Sequence, residues 1–599
     1  MNTLHSWFRS GNYSLLGHVD VPRQKRGRVG VVIVPPFGWE DVCCYRPLRF
    51  LAQKFAQMGM PTLRYDLPGT GDSSGDARDP GLFESWIQSV ADAAAELRNS
   101  AEVEKIAVVG IHLGAMLAMT AASRGANLQD LVLWGPAAKG RSVLRELRAV
   151  ANVERWEYLS EQEAPPQPIP GFEAGGFLIA PETLRALEAL DISALSWPEA
   201  GRILLLSRDD LPHDAKLVDA LQSSQAQVEM AVGRGYSAMM ATPQEAVCPE
   251  DTGRLIGEFL TREVQERGKR DAIEFPGTRS TVIGERDADG SLETIYRIEN
   301  SSLGMFGILT EPRPGIPRSD YGLLYLNAGG VRHTGPNRMW VESARRWAAR
   351  GVASLRLDLE GIGESEGEQY LDIPALYQKR LVEQIEIAIE SLRWHIGMKR
   401  FVAIGLCSGA CWAFHTAIRN ADVDAAILLN PSVLYWDPGA DRRRILRRMA
   451  SGLRGWADWA RMVRGGIERG DIQRGARRIF ERLGRRREGG GHLQLGFETL
   501  AEAWSEFERN KKRVTLVFRE GEPLLAEMEA SGQLPLETNS WVRCIRVPNG
   551  GHTCRPLWAQ KLVHDVMDVE LASVIRAASP NSTEKQPDDR GLSPQTVHA

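Results

Sequence analysis

The feature that most constrains this chain is a block of thirteen residues that occurs twice. Leu63-Arg-Tyr-Asp-Leu-Pro-Gly-Thr-Gly-Asp-Ser-Ser-Gly75 aligns without a gap on Leu355-Arg-Leu-Asp-Leu-Glu-Gly-Ile-Gly-Glu-Ser-Glu-Gly367. The surroundings repeat in the same order. Ahead of each block lies a buried-strand pattern closed by a glycine turn, Val31 to Gly38 and Leu323 to Gly330, followed by a helical pattern, Leu48 to Gly59 and Glu342 to Gly351. Behind each block lie a long helical pattern, a strand ending in Gly110-Ile-His-Leu-Gly114 or Gly405-Leu-Cys-Ser-Gly409, and a further strand, Leu131 to Trp134 or Ala426 to Leu429. A period of roughly 300 residues is the size of a domain, not of a solenoid unit. Strands alternating with helices of about 10–15 residues require right-handed βαβ units and a parallel sheet. Tyr13 to Val21 and Thr294 to Leu309 read as antiparallel segments, suited to an edge hairpin on such a sheet. Two domains are expected, 1–265 and 275–575, meeting in the charged stretch that begins at Glu263, with a disordered tail at 579–599.

In the second copy the apolar run from Phe401 ends in Gly405-Leu-Cys-Ser-Gly409, and a helix-compatible segment, Ala410 to Ile418, follows at once. A Gly-x-Cys-x-Gly between strand and helix resembles the nucleophile elbow of the α/β-hydrolases, with cysteine where serine is usual. The flanking glycines let a sharp turn pass without collision, and the helix N-terminus behind Cys407 favours a thiolate. In that fold the acid and then the histidine follow the nucleophile. Arg513 to Phe518 reads as a strand and runs into Arg519-Glu-Gly-Glu-Pro-Leu524. Glu522, before Pro-Leu, is the candidate acid and Glu520 the alternative. The last strand, Val542 to Val547, leads to Pro-Asn-Gly-Gly-His552, where the family places its base. The expected catalytic set is Cys407, His552 and Glu522. The oxyanion donors are the Ser408 amide and that of Gly330 or Val331. His333, His395 and His415 lack this context and are expected to be structural, with His333 in the most unusual setting.

The first copy lacks the same machinery. His112 stands where the nucleophile belongs, and an acyl-imidazole hydrolyses easily. Asp210 is its candidate acid, and Tyr236 takes the place of the base. A phenol with a pKa near 10 cannot serve as the usual base at neutral pH. This copy is expected to be catalytically degenerate, able to bind a ligand or brace its twin.

Each copy carries an insertion after the strand that follows its elbow, where a cap over the active site usually sits. The spans are 138–198 and 436–496. The second is strongly basic, with sixteen arginines against six carboxylates from Asp441 to Glu488. It reads either as a solvated helix face or as a landing site for an anionic partner such as an acyl carrier protein or coenzyme A. The whole chain has a net charge of −4, which points to no nucleic acid or membrane surface. No apolar run approaches the ~20 residues of a membrane span, and the start shows no export signal, so a cytoplasmic protein is expected. Seven cysteines without a framework of spacings suit reduced thiols. No cofactor and no metal are expected.

Both copies resemble α/β-hydrolases of the serine-aminopeptidase-like branch. More narrowly, they resemble the paired hydrolases of bacterial exosortase A and exopolysaccharide gene clusters. Gly405-Leu-Cys407 and His552-Thr-Cys-Arg-Pro556 look like one member, and Gly171 to Phe177 with Ala180 to Asp191 look like the cap of the other. The resemblance implies two tandem α/β-hydrolase domains, each a mostly parallel sheet flanked by helices under a helical cap. It implies an ester or thioester hydrolase, or an acyltransferase to an amine or hydroxyl, near a biosynthetic pathway. A non-catalytic scaffold for a carrier protein is the reading from a different class.

Overall fold

The computed structural model describes residues 2–23, 29–158, 169–196, 201–209, 211–262, 287–288, 291–299, 304–367, 373–435, 493, 496–497, 499–535 and 539–577. The arginine-rich span 441–488, the junction after residue 262 and the tail beyond residue 577 lie outside the described residues, as does Asp210.

The first half folds into β1 (Asn2–Ser10), β2 (Tyr13–Val21), β3 (Val29–Val34), β4 (Thr62–Tyr65), β5 (Lys105–Ile111), β6 (Asp130–Trp134), a small hairpin of β7 (Phe172–Ala174) and β8 (Phe177–Ile179), β9 (Arg202–Arg208) and β10 (Gln227–Gly233). The second half gives β11 (Asp287–Ala288), β12 (Ser291–Glu299), β13 (Gly304–Pro312), β14 (Tyr321–Leu326), β15 (Ala353–Asp358), β16 (Arg400–Leu406), β17 (Val423–Leu429), β18 (Arg513–Arg519) and β19 (Val542–Val547). The sheet orders are β1-β2-β4-β3-β5-β6-β9-β10 and β11-β12-β13-β15-β14-β16-β17-β18-β19. Apart from the two-residue β11, one order maps onto the other strand for strand.

In each sheet the opening hairpin and its next neighbour pair antiparallel, and the remaining strands are parallel. Several inner strands, such as β3, β14 and β15, are buried at every position. Strands covered on both faces need continuous apolar runs, and the sequence supplies them. Helices cover both faces of each sheet. The chain is thus two tandem α/β-hydrolase domains, and the expected opening hairpins lie at the sheet edges.

The repeated block does more than mark the copies. Arg64 of β4 and Arg356 of β15 occupy the same place in it, as do Asp72 and Glu364. The pairs they form are exchanged between domains. Arg64 holds Glu364 through both guanidinium nitrogens, at 2.9 and 3.1 Å, and Arg356 pairs with Asp72. Each arginine also meets a carboxylate of its own edge hairpin, Asp20 for Arg64 and Glu293 for Arg356. Arg338 donates to the carbonyls of Gly69, Gly71, Ser73 and Gly75, so one domain's arginine organises the other's glycine-rich loop. An apolar cluster of Leu16, Ile295, Phe306 and Ile308 closes the same contact.

Candidate active site

The two elbows have the same backbone. Cys407 has φ 59° and ψ −114°, and His112 has φ 50° and ψ −111°. Positive φ is costly for a residue with a side chain and persists where the surroundings impose it. Here close approach imposes it. A Cβ on Gly405 would strike the Gly409 carbonyl, and one on Gly409 would strike the Asn327 carbonyl. Gly110 and Gly114 are held equally tightly in the first copy. The elbow backbone is therefore kept in both halves, with a thiol at its tip in one and an imidazole in the other.

In the second domain Cys407, between β16 and the helix Ser408–Arg419, faces the loop after β19. Its Sγ lies 3.3 Å from Ser432 Oγ, and that hydroxyl lies 3.3 Å from His552 Nε2. His552 Nδ1–H donates to Glu522 Oε1 at 3.0 Å. Glu522 is buried and Glu520 exposed, and it is Glu522 that reaches the imidazole. Arg519 donates to Glu522 at 2.9 Å and to Asn549 at 2.8 Å, tying the acid loop to the base loop. Asn430 adds a second tie, donating to the His552 carbonyl at 2.9 Å and accepting from the Arg519 amide at 2.8 Å.

Burial alone would push the Cys407 thiol up. The His552 imidazole, the Ser432 hydroxyl and the Ser408 amide outweigh it and bring the thiol below its ordinary value. Burial likewise presses His552 down, but the Cys407 thiolate and the Glu522 carboxylate raise it to about 10. The arrangement favours a thiolate–imidazolium pair, in which the two groups titrate together. Cys43, Cys44, Cys411 and Cys554 are buried, and their thiols are pushed up.

The loop expected to supply the second oxyanion donor follows β14. The Val331 amide is donated to the Ala328 carbonyl at 3.1 Å, and the Gly329 amide to Ser408 Oγ at 2.9 Å. Of the two candidate donors, Gly330 is the one whose N–H is not used within the loop. Gly330 and Val331 line a cleft between the domains, opposite Gly38 and Asp41 of the first copy.

In the first domain His112 Nδ1–H donates to Glu40 Oε2 at 2.7 Å, and Tyr236 Oη–H lies 3.5 Å from Glu40 Oε1. His112 Nε2 faces Glu146 at 3.7 Å, and Glu146 pairs with Arg208 at 2.8 Å. Burial opposes the charged imidazole, but Glu40 and Glu146 raise it. Burial, reinforced by Glu40, lifts Tyr236 far above the ordinary phenol. Here Asp209 fastens the turn at Gly235 and Ser237 by accepting their amides at 3.0 Å. A cavity of about 280 Å3 adjoins Glu146 and Arg208.

Sequence reasoning missed Ser432, Glu40, Glu146 and Arg208. Ser432 and Glu40 carried a signal: each follows a strand that pairs with the elbow strand, at the end of the sheet where the elbow sits. Of the three histidines expected to be structural, His415 donates to the Leu434 carbonyl and His395 to that of Ser391. His333 is wholly buried and bridges Asp358 and Asp72, each at 2.7 Å.

Among the described residues, His5, His18 and Glu364 lie close enough together to hold a metal ion. Their donors are already engaged. Glu364 is held by Arg64 and accepts from Tyr45 at 2.6 Å, and Arg297 faces His5. His5 and His18 share a hydrogen bond at 2.7 Å. Burial, with the nearby arginines, keeps both imidazoles neutral, His5 at about 3. This is a hydrogen-bonded network whose cation is already arginine. No helix among the described residues is long and apolar enough to cross a membrane.

Residues 38–161 match the family described as serine aminopeptidase, S33. No curated protein matches the chain. Among solved structures it is similar to Est1E of Butyrivibrio proteoclasticus with ferulic acid bound (16% identity, 43% of this chain and 99% of that chain, TM-score 0.33). It is also similar to a proline iminopeptidase of Mycobacterium smegmatis (13%, 44% and 99%, TM-score 0.30) and to an esterase of Pyrococcus furiosus (16%, 44% and 90%, TM-score 0.31).

Proposed function

We propose that the chain is an ester or thioester hydrolase that works through Cys407 in its second domain, the first domain being catalytically silent. The observation that carries this reading is the hydrogen-bonded line from the strained elbow thiol through Ser432 and His552 to the buried Glu522. The thiolate attacks the acyl carbon. The resulting oxyanion takes hydrogen bonds from the amides of Ser408 and Gly330, and the imidazolium protonates the leaving group. Water then attacks the acyl-cysteine. Neutral His552 removes its proton, the acid is released and the thiol is restored. Glu522 holds the imidazole in the tautomer that presents Nε2 to sulfur.

Among the described residues, the first domain's elbow holds no comparable nucleophile. Its elbow imidazole is held by Glu40, and no thiol or hydroxyl takes the nucleophile's place. The resemblance to the hydrolase pairs of exosortase A and exopolysaccharide clusters belongs to the same proposal and sets the acyl substrate in that biosynthetic context.

The test is to trap the intermediate. Wild type and Cys407→Ala are mixed with p-nitrophenyl butyrate, quenched in acid and examined by peptide mass spectrometry. The expected result is a butyryl adduct on the Cys407 peptide and loss of turnover in the variant. Turnover that survives Cys407→Ala refutes the reading.

A further inference from the structure

We propose that the first domain is a positioning domain for the catalytic centre of the second, acting through the β7–β8 hairpin of its cap on the loop that carries His552. This rests on the reading of Cys407 and His552 as nucleophile and base.

Two of the catalytic parts stand on strand ends of the second sheet, Cys407 after β16 and Glu522 after β18. The other two ride on loops, the base at 548–556 and the second oxyanion donor at 327–333. Loops are the least stable part of a fold, whereas a base must be held to a fraction of an ångström. The second domain holds the base loop through Arg519 on Asn549, Asn430 on the His552 carbonyl and Asn337 on the Arg555 carbonyl. The first domain adds its own contacts at the far end. Glu173 Oε1 accepts the Leu557 amide at 2.8 Å. That amide opens the helix Leu557–Ala577 and has no partner within it, so a carboxylate from the other domain caps a helix N-terminus.

The Gly176 carbonyl accepts from Gln560 Nε2 at 3.0 Å, and the same side chain donates to the Arg555 carbonyl. Gly176 has φ +81°, and a Cβ there would strike Asn337 and the Arg555 carbonyl. The Arg555 guanidinium lies over the Trp39 ring at 3.8 Å. Trp39 precedes Glu40, the partner of His112, so the silent elbow is one residue from a contact with the base loop of the active one.

The oxyanion loop leans the same way. Gly330 packs against Pro243 and Gln244, and Arg332 holds Asp66 with two bonds, at 2.7 and 3.1 Å. The first domain thus braces the two loops from outside, beside the second domain's own hydrogen bonds to them.

The experiment uses the full chain. Glu173→Ala and Leu557→Pro remove the same hydrogen bond from opposite sides, and proline is tolerated in the first turn of a helix. Glu173→Gln keeps an acceptor oxygen. The readout is the pH profile of Cys407 alkylation by iodoacetamide, followed on the Cys407 peptide, which needs no substrate. In each of the first two variants alkylation near pH 6 should fall about tenfold, as for a one-unit rise in the thiol midpoint. The double variant should fall no further, and Glu173→Gln should stay within about twofold of wild type. Turnover of p-nitrophenyl butyrate should lose kcat with KM unchanged. If the two substitutions unfold the chain, Glu173→Asp is read by hydrogen exchange over residues 549–557, which should quicken.

Wild-type alkylation profiles in both folded variants overturn the proposal. So do effects that multiply in the double variant, and so does unchanged exchange in Glu173→Asp. An alkylation shift in a protein that never turns over ester refutes the catalytic reading and keeps the positioning role. Turnover without a shift does the reverse.

Discussion

His333 makes the stability of the chain depend on pH in a direction opposite to that of most buried histidines. It is wholly buried, with Asp358 on Nδ1 and Asp72 of the other domain on Nε2. Arg332 precedes it in the chain, Arg356 pairs with the same Asp72, and the Phe306 ring lies 5.1 Å from its own. Burial disfavours the imidazolium, but the two carboxylates outweigh it and hold the group at about 9, against 6.5 for a free side chain. The folded chain therefore keeps a proton that the unfolded chain has released across that window. The contribution is fully present below pH 6.5 and is lost as pH rises through about 9. A shift of this size corresponds to about 3 kcal/mol. The assay is urea unfolding of wild type and His333→Gln across a pH series from about 6 to about 9.5, followed by tryptophan fluorescence. Other groups titrate in both proteins and cancel in the difference. The gap between the two should be widest at the acid end and shrink by about 3 kcal/mol toward the alkaline end. A gap that stays constant with pH refutes the doubly paired imidazolium.

Three further outcomes follow from the same geometry. In His552→Ala the thiol loses its counter-ion and keeps its burial, so the midpoint of Cys407 alkylation should move upward and the rate at neutral pH should fall by at least about tenfold. Gly409→Ala drives a methyl into the Asn327 carbonyl beneath the elbow, and should cost about 1–3 kcal/mol in urea unfolding while slowing Cys407 alkylation. Arg64→Met strands Glu364 and Asp20 in the interior and should cost about 3–5 kcal/mol, with part of the loss recovered on adding Glu364→Gln, as a double-mutant cycle would show.

The exchanged arginine pairs explain why the repeated block is gapless while the rest of the two halves has drifted. In each copy the block places an arginine on a strand and a carboxylate on the following loop, and each arginine meets the carboxylate of the other copy. A one-residue insertion in either block would displace both partners at once. The hairpin carboxylates tolerate more freedom. Asp20 sits on β2 in the first copy, whereas Glu293 sits on β12, the hairpin's other strand, in the second.

The fold and the order of the residues proposed to form the site were legible in the sequence because their causes are local. Continuous apolar runs make buried parallel strands, helical periodicity marks the crossovers, and glycines two before and two after the nucleophile are the residues that fit a turn this tight. Cys407, Glu522 and His552 could be named from the same short-range signals, as could the change at His112 and Tyr236. Tertiary structure decided what depends on groups far apart in the chain. Ser432 stands between thiol and base only once β17 lies beside β16, and Glu40 reaches His112 only across β3 and β5. That Glu522 and not Glu520 reaches His552, and that the Val331 amide is donated to Ala328 within its own loop, are likewise visible only in the folded chain. The grip of Glu173 on Leu557 and the exchange of Arg64 and Arg356 between domains exist only after docking, because hydrogen bonds and ion pairs act over a few ångströms and carry no periodicity along the chain.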